Sequence, residues 1–245
     1  MPTVKNGDAT LYYEVHGKGF PILTFAPAGL RSDIATWDQP SAPINPVKEW
    51  SGSYSVIVMD QRNAGRSRAP IAAKDGWHTY ASDHAAVLDH AGVKRCHLFG
   101  QCIGGDFIFA MLKANSQRIA SAVIAQPSGR VGPMKPGRSE SFQSWVKSLK
   151  DHPEATEQVL DAFYRNMYEP DFVYSVDRAF VASCLTPCLL LAGNDDNHPR
   201  PVSDEIAKLM PNVEYIPEWK TGAPLEAAKG RIKTFLAKHT PGGVS

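Results

Sequence analysis

Cys102 lies in a sequence pattern that suits a catalytic nucleophile. Residues 100–105 read Gly-Gln-Cys-Ile-Gly-Gly, which matches the G-x-nucleophile-x-G pattern of a nucleophile elbow with a thiol in place of the more usual serine. Small residues flank the central position because a sharp strand-to-helix turn brings the backbone close on both sides of it. A thiolate attacks electrophilic carbonyl carbons directly. The pattern therefore predicts covalent catalysis by Cys102.

The segments on either side of Cys102 are those that an elbow requires. Upstream, the short apolar run 96–99 is bounded by glycine and predicts a strand. Downstream, apolar residues recur at helical spacing, namely Ile103, Phe107, Ile108, Met111 and Leu112. The order is thus strand, tight turn and helix. The N-terminus of that helix should lower the pKa of the thiol.

Short strand-like runs alternate with helix-like runs along most of the chain. The pattern predicts strands at 9–15, 21–25, 55–59, 96–99, 120–125, 188–192 and 213–216. Helices are expected near 80–91, after Cys102, near 202–209 and at the C-terminal end, where apolar residues form one stripe. This alternation predicts an α/β fold with a mostly parallel sheet covered by helices on both faces.

Residues 127–186 break the alternation. The segment opens rich in proline and glycine and then becomes helical and aromatic. We expect a small helical cap over the carboxyl ends of the strands, where open α/β sheets bind ligands, with 1–126 and 187–245 forming the core. At least half of its aromatic residues should fill the cap's own core, while Trp145 and Tyr168 are candidates for substrate contact.

Composition excludes several classes of function. Lys and Arg total 26 against 25 for Asp and Glu, a formal net charge of +1 without a basic stripe, so nucleic acid is not an expected partner. We find no apolar leader and no apolar run near the ~20 residues of a membrane span, which predicts a soluble cytoplasmic protein without membrane contact. The expected partner is a small-molecule substrate, and homo-oligomer formation stays open. The cysteines form neither a disulfide framework nor a CxxC pair: Cys96, Cys102, Cys184 and Cys188.

Two motifs together resemble the α/β-hydrolase family, and the resemblance covers nearly the whole chain. Residues 60–67 read Asp-Gln-Arg-Asn-Ala-Gly-Arg-Ser and are similar to the DxRGxGxS turn of many members. Asn63 replaces one glycine there, which is tolerable because asparagine visits left-handed conformations. In the family this turn is mainly architectural. The elbow around Cys102 most resembles that of dienelactone hydrolase, a branch that uses cysteine, but the rest of the chain does not follow that branch.

The resemblance implies an oxyanion hole made by two backbone N–H groups. One comes from the residue after the nucleophile, Ile103, and the other from the loop after an early strand, at Ala28. That loop reads Phe-Ala-Pro-Ala-Gly-Leu where the family usually has a His-Gly pair, and Pro27 lacks an N–H. An ordinary strand-ending turn is the alternative. Gly29 and Gln101 are further candidates for substrate contact.

The family's catalytic acid follows the penultimate core strand. Residues 189–199 read Leu-Leu-Leu-Ala-Gly-Asn-Asp-Asp-Asn-His-Pro and resemble this acid loop. Asp195 lies at the usual distance before a proline, and Asp196 is the fallback. Either residue could instead cap the helix that begins near 201.

The family's histidine is absent from its usual place after the last strand, where this chain has Trp219 and Lys220. His198 lies three residues after Asp195 and reaches Cys102 if the loop turns inward; a surface or capping histidine is the alternative. His239 lies at the end of the terminal helix.

Other polar residues are weaker candidates. His84 falls on an apolar helix stripe and is expected in the core, and His78 is either a pocket residue or an exposed loop side chain. Lys220 is expected in solvent, although it could stabilise the thiolate or act as a base. Asp195, Asp196 and His198 lack a further histidine or cysteine, so we expect no metal and no cofactor.

Together these patterns predict a cysteine-dependent hydrolase or acyl transferase for a small ester, lactone or related carbonyl compound. Cys102 attacks, Ile103 and Ala28 hold the oxyanion, and Asp195 orients His198. Two alternatives stay open: a ligand-binding protein on an impaired scaffold, and a lyase or C–C bond-cleaving enzyme on the same fold.

Overall fold

One eight-stranded sheet organises the molecule, in a computed structural model that describes residues 2–243. The strands lie in the order β1-β2-β4-β3-β5-β6-β7-β8. Their bounds are β1 (Thr3–Asn6), β2 (Ala9–His16), β3 (Pro21–Phe25), β4 (Ser55–Met59), β5 (Cys96–Gln101), β6 (Ile119–Ala125), β7 (Cys188–Leu191) and β8 (Val213–Ile216).

Most of the sheet is parallel. β1 pairs with β2, and β2 with β4, in antiparallel register, whereas every pairing from β4 through β8 is parallel. The prediction of a mostly parallel α/β sheet is confirmed, and each of the seven predicted strands is present. β1 is not predicted from the sequence, because Val4 is the only buried residue in that four-residue strand.

Helices cover both faces of the sheet. They are α1 (Pro46–Trp50), α2 (Trp77–His90), α3 (Ile103–Asn115), α4 (Glu140–Val146), α5 (Glu157–Tyr168), α6 (Arg178–Ser183), α7 (Arg200–Leu209) and α8 (Gly222–His239). Successive strand residues point to opposite faces. Leu98 accordingly packs with residues of α2, α3 and α7, while Phe99 packs with residues of α1 and α8. Among residues 2–243, no helix combines the length and apolarity needed to cross a bilayer.

Helices α4, α5 and α6 lie between β6 and β7, inside the segment 127–186. Their buried aromatic side chains pack on one another: the ring centroids of Trp145 and Phe163 are 5.4 Å apart, as are those of Phe142 and Trp145. The same residues join the buried cluster that contains α2 and α3. The division of the chain into a core and a cap stays a prediction.

The turn at residues 60–67 ties loops together. Asp60 is buried, and its carboxylate accepts backbone N–H groups of Ile34 and Arg66, both at 2.8 Å. Arg62 is also buried and donates to both carboxylate oxygens of Asp83 on α2, at 2.7 and 3.0 Å. These contacts fix the loop after β3 relative to α2, which is the architectural role that the resemblance implies.

Candidate active site

Cys102 occupies a strained turn between β5 and α3. Its backbone has φ 58° and ψ −123°, a conformation that residues with a side chain rarely adopt. The turn requires glycines on either side of Cys102, because other backbone atoms lie too close there for a side chain. A Cβ atom on Gly104 would lie 2.5 Å from the carbonyl oxygen of Phe25, and one on Gly100 would overlap the carbonyl oxygen of Gly104. The backbone thus has the form of a nucleophile elbow, with the thiol at its tip.

The thiol of Cys102 has polar neighbours on two sides. Its Sγ atom lies 3.5 Å from Oγ of Ser128, and the backbone N–H of Ile103 is directed at the sulfur. The carbonyl oxygen of Cys102 also accepts a hydrogen bond from the N–H of Ser128 at 3.3 Å. Ser128 was not among the residues predicted from the sequence; its position just after β6, the strand paired with β5, was the available signal.

His198 and Asp195 form a tight pair in the loop after β7. Nδ1 of His198 lies 2.7 Å from Oδ1 of Asp195, and the same oxygen accepts the backbone N–H of His198 at 3.1 Å. The two residues also exchange backbone hydrogen bonds at 3.1 and 3.3 Å. A Cβ atom at position 193 would overlap the backbone of His198, so Gly193 is required for the loop to fold back this closely. The result is an imidazole that is only 9% exposed.

This loop brings the imidazole of His198 to the thiol of Cys102. Nδ1 is hydrogen-bonded to Asp195, and Nε2 is buried without a hydrogen-bond partner among the described residues, so Nε2 is the ring nitrogen left to interact with Cys102. Burial raises the pKa of the Cys102 thiol, but the nearby imidazole of His198, the Ser128 hydroxyl and the Ile103 N–H together outweigh burial and bring that pKa down to about 7. Conversely, burial lowers the pKa of His198, and its contacts with Cys102 and Asp195 outweigh burial and raise it. The two groups stabilise each other as a thiolate and imidazolium pair.

The ammonium group of Lys220 contacts Asp195, the carboxylate that pairs with His198. Its Nζ atom donates to Oδ2 of Asp195 at 2.9 Å and to Oδ1 of Asn194 at 2.5 Å. Burial raises the pKa of the Asp195 carboxyl, but the hydrogen bond from Lys220 and the charge of His198 outweigh it and lower that pKa. The expectation of a solvated Lys220 is therefore corrected, since the ammonium anchors the acid loop. Asp196, the fallback acid, is exposed, and Asp195 is the carboxylate that contacts His198.

Trp219 fills the place after β8 where the family resemblance would put histidine. Its side chain is 2% exposed, and the indole N–H donates to the carbonyl oxygen of Ala192 at 2.8 Å. Trp219 thereby ties the end of β8 to the end of β7, just before the loop that carries His198. A buried aromatic residue thus stands where the family resemblance would place histidine.

The loop after β3 lies beside the elbow. Phe25, the last residue of β3, pairs with Gly100 of β5, which brings Ala28 and Gly29 to the same edge of the sheet as Cys102. Ala28 has φ 93° and Gly29 has φ 59°, so two successive residues are left-handed and the turn is sharp. An added Cβ on Gly29 would lie 2.9 Å from Oγ of Ser141 on α4. The oxyanion roles of Ala28 and Ile103 stay predictions.

Two of the side chains predicted to contact substrate are used elsewhere. Gln101 is fully buried, and its amide donates to the carbonyl oxygen of Ile44 at 2.8 Å, on the face of the sheet that packs against α1 and α8. Trp145 is 1% exposed, and its indole N–H donates to the carbonyl oxygen of Asn63 at 3.2 Å. We therefore correct both assignments: Gln101 anchors a loop and Trp145 anchors α4. Tyr168 lies near enough to Cys102 for the two to interact electrostatically.

Two further histidines from the sequence analysis, His84 and His78, have other contacts. His84 is fully buried, its Nε2 is 2.8 Å from Oε1 of Gln61, and burial together with the charge of Arg62 lowers its pKa to about 3. This is the predicted core histidine. His78 is exposed and contacts Thr79. No group of three or more potential metal ligands was found among residues 2–243.

Comparison with known proteins adds a family and several relatives. The sequence profile of a family described as alpha/beta hydrolase fold matches residues 42–180. The chain is 36% identical over 124 residues to "Putative carbamate hydrolase RutD" of Azorhizobium caulinodans, an alignment that covers 51% of this chain and 43% of that protein. It is 33% identical over 126 residues to a non-heme haloperoxidase of Rhodococcus erythropolis, covering 51% and 43%. The chain thus spans less than two thirds of the length of these relatives.

Solved structures are similar over nearly the whole chain. A meta-cleavage product hydrolase of Pseudomonas fluorescens IP01 superposes with a TM-score of 0.71 at 15% identity, covering 97% of this chain and 98% of that one. An enol-lactonase of Burkholderia xenovorans LB400 gives a TM-score of 0.69 at 17% identity, covering 96% and 99%. At such identities the similarity is one of fold.

Proposed function

This chain belongs to the alpha/beta hydrolase fold family, and from that premise we propose that it is a cysteine-dependent hydrolase or acyl transferase. The substrate is a small ester, lactone or related carbonyl compound, and the reaction passes through a thioester on Cys102. One observation carries the proposal: an elbow-borne thiol lies within electrostatic reach of an imidazole that a carboxylate orients. Nucleophile, base and orienting acid are the three parts that covalent acyl transfer requires.

The first half of the reaction forms the acyl-enzyme. The thiolate of Cys102 attacks the carbonyl carbon, and the new negative charge on oxygen is held by the N–H groups of Ile103 and Ala28. As the bond to the leaving group breaks, His198 gives its proton to the departing atom. Asp195 keeps the imidazole oriented and stabilises its charged form, as its 2.7 Å contact with Nδ1 allows.

The second half regenerates the enzyme. A water, or another acyl acceptor, loses a proton to Nε2 of His198 and attacks the thioester carbon. The carbon–sulfur bond then breaks and leaves the thiolate of Cys102 with the imidazolium of His198, the pair that the site already favours. Ser128, 3.5 Å from the sulfur, stabilises the thiolate as it leaves.

The position of His198 favours an enzyme over a protein that only binds ligand. The binding alternative depended on the missing histidine after the last strand, and an imidazole reaches Cys102 from the acid loop instead. The relatives support carbonyl chemistry: one is named as a carbamate hydrolase and one neighbour as an enol-lactonase. The resemblance of the elbow to that of dienelactone hydrolase also supports carbonyl chemistry. Carbamates therefore join esters and lactones in the proposed substrate class.

In this proposal α4, α5 and α6 form a cap over the site. Its contacts with the core support that role: Arg31 donates to Oγ of Ser144 at 3.2 Å, and Trp145 donates to the Asn63 carbonyl. Both contacts join α4 to loops at the carboxyl edge of the sheet, beside Ala28 and the turn at 60–67.

The test is hydrolysis of small activated esters, lactones and carbamates by the wild type and by matched cysteine variants. We expect Cys102→Ala to abolish turnover, whereas Cys184→Ala, which removes a buried thiol of the segment 127–186, should retain it. Folding of both variants is checked by circular dichroism. Equal turnover by the wild type and Cys102→Ala would show that Cys102 is not the nucleophile.

A further inference from the structure

Lys220 follows Trp219 in the segment after β8, where the family resemblance would place histidine. The buried indole of Trp219 fixes this segment against the end of β7 through its 2.8 Å hydrogen bond to the carbonyl oxygen of Ala192. The side chain of Lys220 extends to the loop after β7, where its Nζ atom lies 2.9 Å from Oδ2 of Asp195. A cation from the end of β8 therefore contacts the proposed acid.

The two carboxylate oxygens of Asp195 have different partners. Oδ1 accepts hydrogen bonds from the backbone N–H groups of Asn197 and His198, both at 3.1 Å, and lies 2.7 Å from Nδ1 of the His198 ring. Oδ2 accepts from Lys220, which lies outside that loop. One oxygen thus binds the imidazole and the other binds the ammonium, so contacts on both sides fix the plane of the carboxylate.

The exposure of Asp195 makes the second contact important. Its side chain is 45% exposed, whereas that of His198 is 11% exposed. Water competes for the oxygens of an exposed carboxylate, and a carboxylate that turned toward water would weaken its hydrogen bond to Nδ1. The ammonium restricts this rotation, because it also donates to Oδ1 of Asn194 at 2.5 Å.

The same contacts decide which role Lys220 has. An ammonium donates up to three hydrogen bonds and accepts none. Its Nζ atom donates to Asp195 and to Asn194, so it serves as a donor and not as a base. Its effect on Cys102 therefore passes through the carboxylate of Asp195 and the imidazole of His198.

We propose that Lys220 is a positioning residue, which holds Oδ2 of Asp195 and thereby keeps the imidazole of His198 oriented for the reaction at Cys102. This inference rests on the function proposed above, because it concerns how fast the thioester is hydrolysed. In that step the oxygen of water bonds the acyl carbon, one proton of the water passes to Nε2 of His198, and the carbon–sulfur bond breaks to release the thiolate of Cys102.

The experiment removes the ammonium and follows hydrolysis of the thioester alone. Lys220→Met removes the charge, and Lys220→Gln is a second uncharged variant that keeps the test intact if the first folds poorly. Each protein is acetylated with 4-nitrophenyl acetate, excess ester is removed, and loss of the acetyl group is followed by mass spectrometry. Circular dichroism checks the folding of every variant.

Lys229→Met is the matched control. The Lys229 side chain is 22% exposed, close to the 26% of Lys220, and it also forms an ion pair. Its Nζ atom lies 2.8 Å from Glu49 instead of the acid loop. This variant should lose the acetyl group within about twofold of the wild-type rate.

Lys220→Met and Lys220→Gln should lose the acetyl group about fivefold more slowly than the wild type, the upper range for a partly exposed ion pair. Asp195→Asn removes the carboxylate through which Lys220 acts. In that background Lys220→Met should change the rate by less than about twofold, because two residues of one chain of contacts are not additive.

A second readout does not depend on the reaction. The proton that Nδ1 of His198 donates to Asp195 should give a far-downfield ¹H NMR signal, assigned by its loss in His198→Ala. In Lys220→Met this signal should move upfield or broaden as the hydrogen bond weakens, and in Lys229→Met it should stay in place. A role of Lys220 in stability alone would lower the melting temperature without moving the signal of the folded protein.

The outcomes separate the two proposals. If Cys102 is acetylated but both Lys220 variants deacylate at the wild-type rate with an unchanged signal, this inference is overturned while the proposed function stands. A fivefold loss that persists in the Asp195→Asn background also overturns it, because Lys220 would then act by another route. If Cys102 of the folded wild type is never acetylated, the proposed function fails and the inference falls with it.

Discussion

Replacement of His198 by alanine should raise the pKa of the Cys102 thiol. In the wild type His198, with smaller contributions from Ser128 and the Ile103 N–H, outweighs burial and holds that pKa at about 7. Without the imidazole, burial opposes only those smaller contributions, so the pKa should return to the ordinary value of about 8.5. At pH 7 the thiolate fraction then falls from about one half to about 3%, roughly 16-fold.

The assay is the rate of alkylation of Cys102 by iodoacetamide as a function of pH, followed by mass spectrometry. A thiolate of higher pKa is intrinsically more nucleophilic, with a Brønsted coefficient of about 0.4–0.5, so the net loss of rate at pH 7 is only about three- to fourfold. The midpoint of the profile is the sharper readout. It should move from near pH 7 to about pH 8.5, and the variant should react faster than the wild type at high pH.

His78→Ala is the control, because His78 is exposed and contacts Thr79 instead of the thiol. Its profile should match that of the wild type. An unchanged midpoint in a folded His198→Ala variant would refute the reasoning, since it would show that His198 does not lower the pKa of the thiol.

Three further predictions follow from the same contacts. Asp195→Asn should lower the turnover rate about 10- to 100-fold, a smaller loss than removal of the general base would cause. The control Asp196→Asn should leave the turnover rate within about twofold of the wild type. Equal losses in the two variants would contradict the assignment of Asp195 as the acid. Folding lowers the pKa of Asp195, so this carboxylate stabilises the folded protein above the unfolded pKa of about 4, and that stabilisation is lost as pH falls through the folded pKa. Urea unfolding at pH 6 and pH 3 should therefore show a smaller change in the free energy of unfolding for Asp195→Asn than for the wild type. The difference should be less than about 1 kcal/mol, because the carboxylate is partly exposed. Gly100→Ala should destabilise the fold by about 1–3 kcal/mol through backbone overlap at the elbow, whereas Gly230→Ala, whose added methyl group meets open space, should be neutral or stabilising in thermal melts.

The sequence was most informative where local pattern determines structure. Seven strands follow apolar runs that are bounded by turn residues, and all seven are present. Asn63 adopts the left-handed conformation expected of it, with φ 56°. β1 could not be predicted, because it pairs only with β2 and Val4 is its only buried residue. Its four residues are too few, and their apolar pattern too weak, to indicate a strand.

Side-chain roles that depend on distant residues could not be predicted in the same way. Gln101 is adjacent to the nucleophile, yet its amide binds Ile44, 57 positions away, because it points to the opposite face of the sheet. Trp145 binds the carbonyl of Asn63, 82 positions away. The sequence places His198 three residues after Asp195, but the position of its side chain depends on the backbone fold-back at Gly193.

The most direct measurement of covalent chemistry at Cys102 is the mass of the protein after brief reaction with 4-nitrophenyl acetate. The acyl group is trapped by acid quench, and peptide mapping locates it. We expect one acetyl group, lost on treatment with neutral hydroxylamine and carried by the peptide that contains Cys102. Full folding and no acetyl group on Cys102, or an acetyl group on another residue that supports the same turnover, would contradict the thioester mechanism.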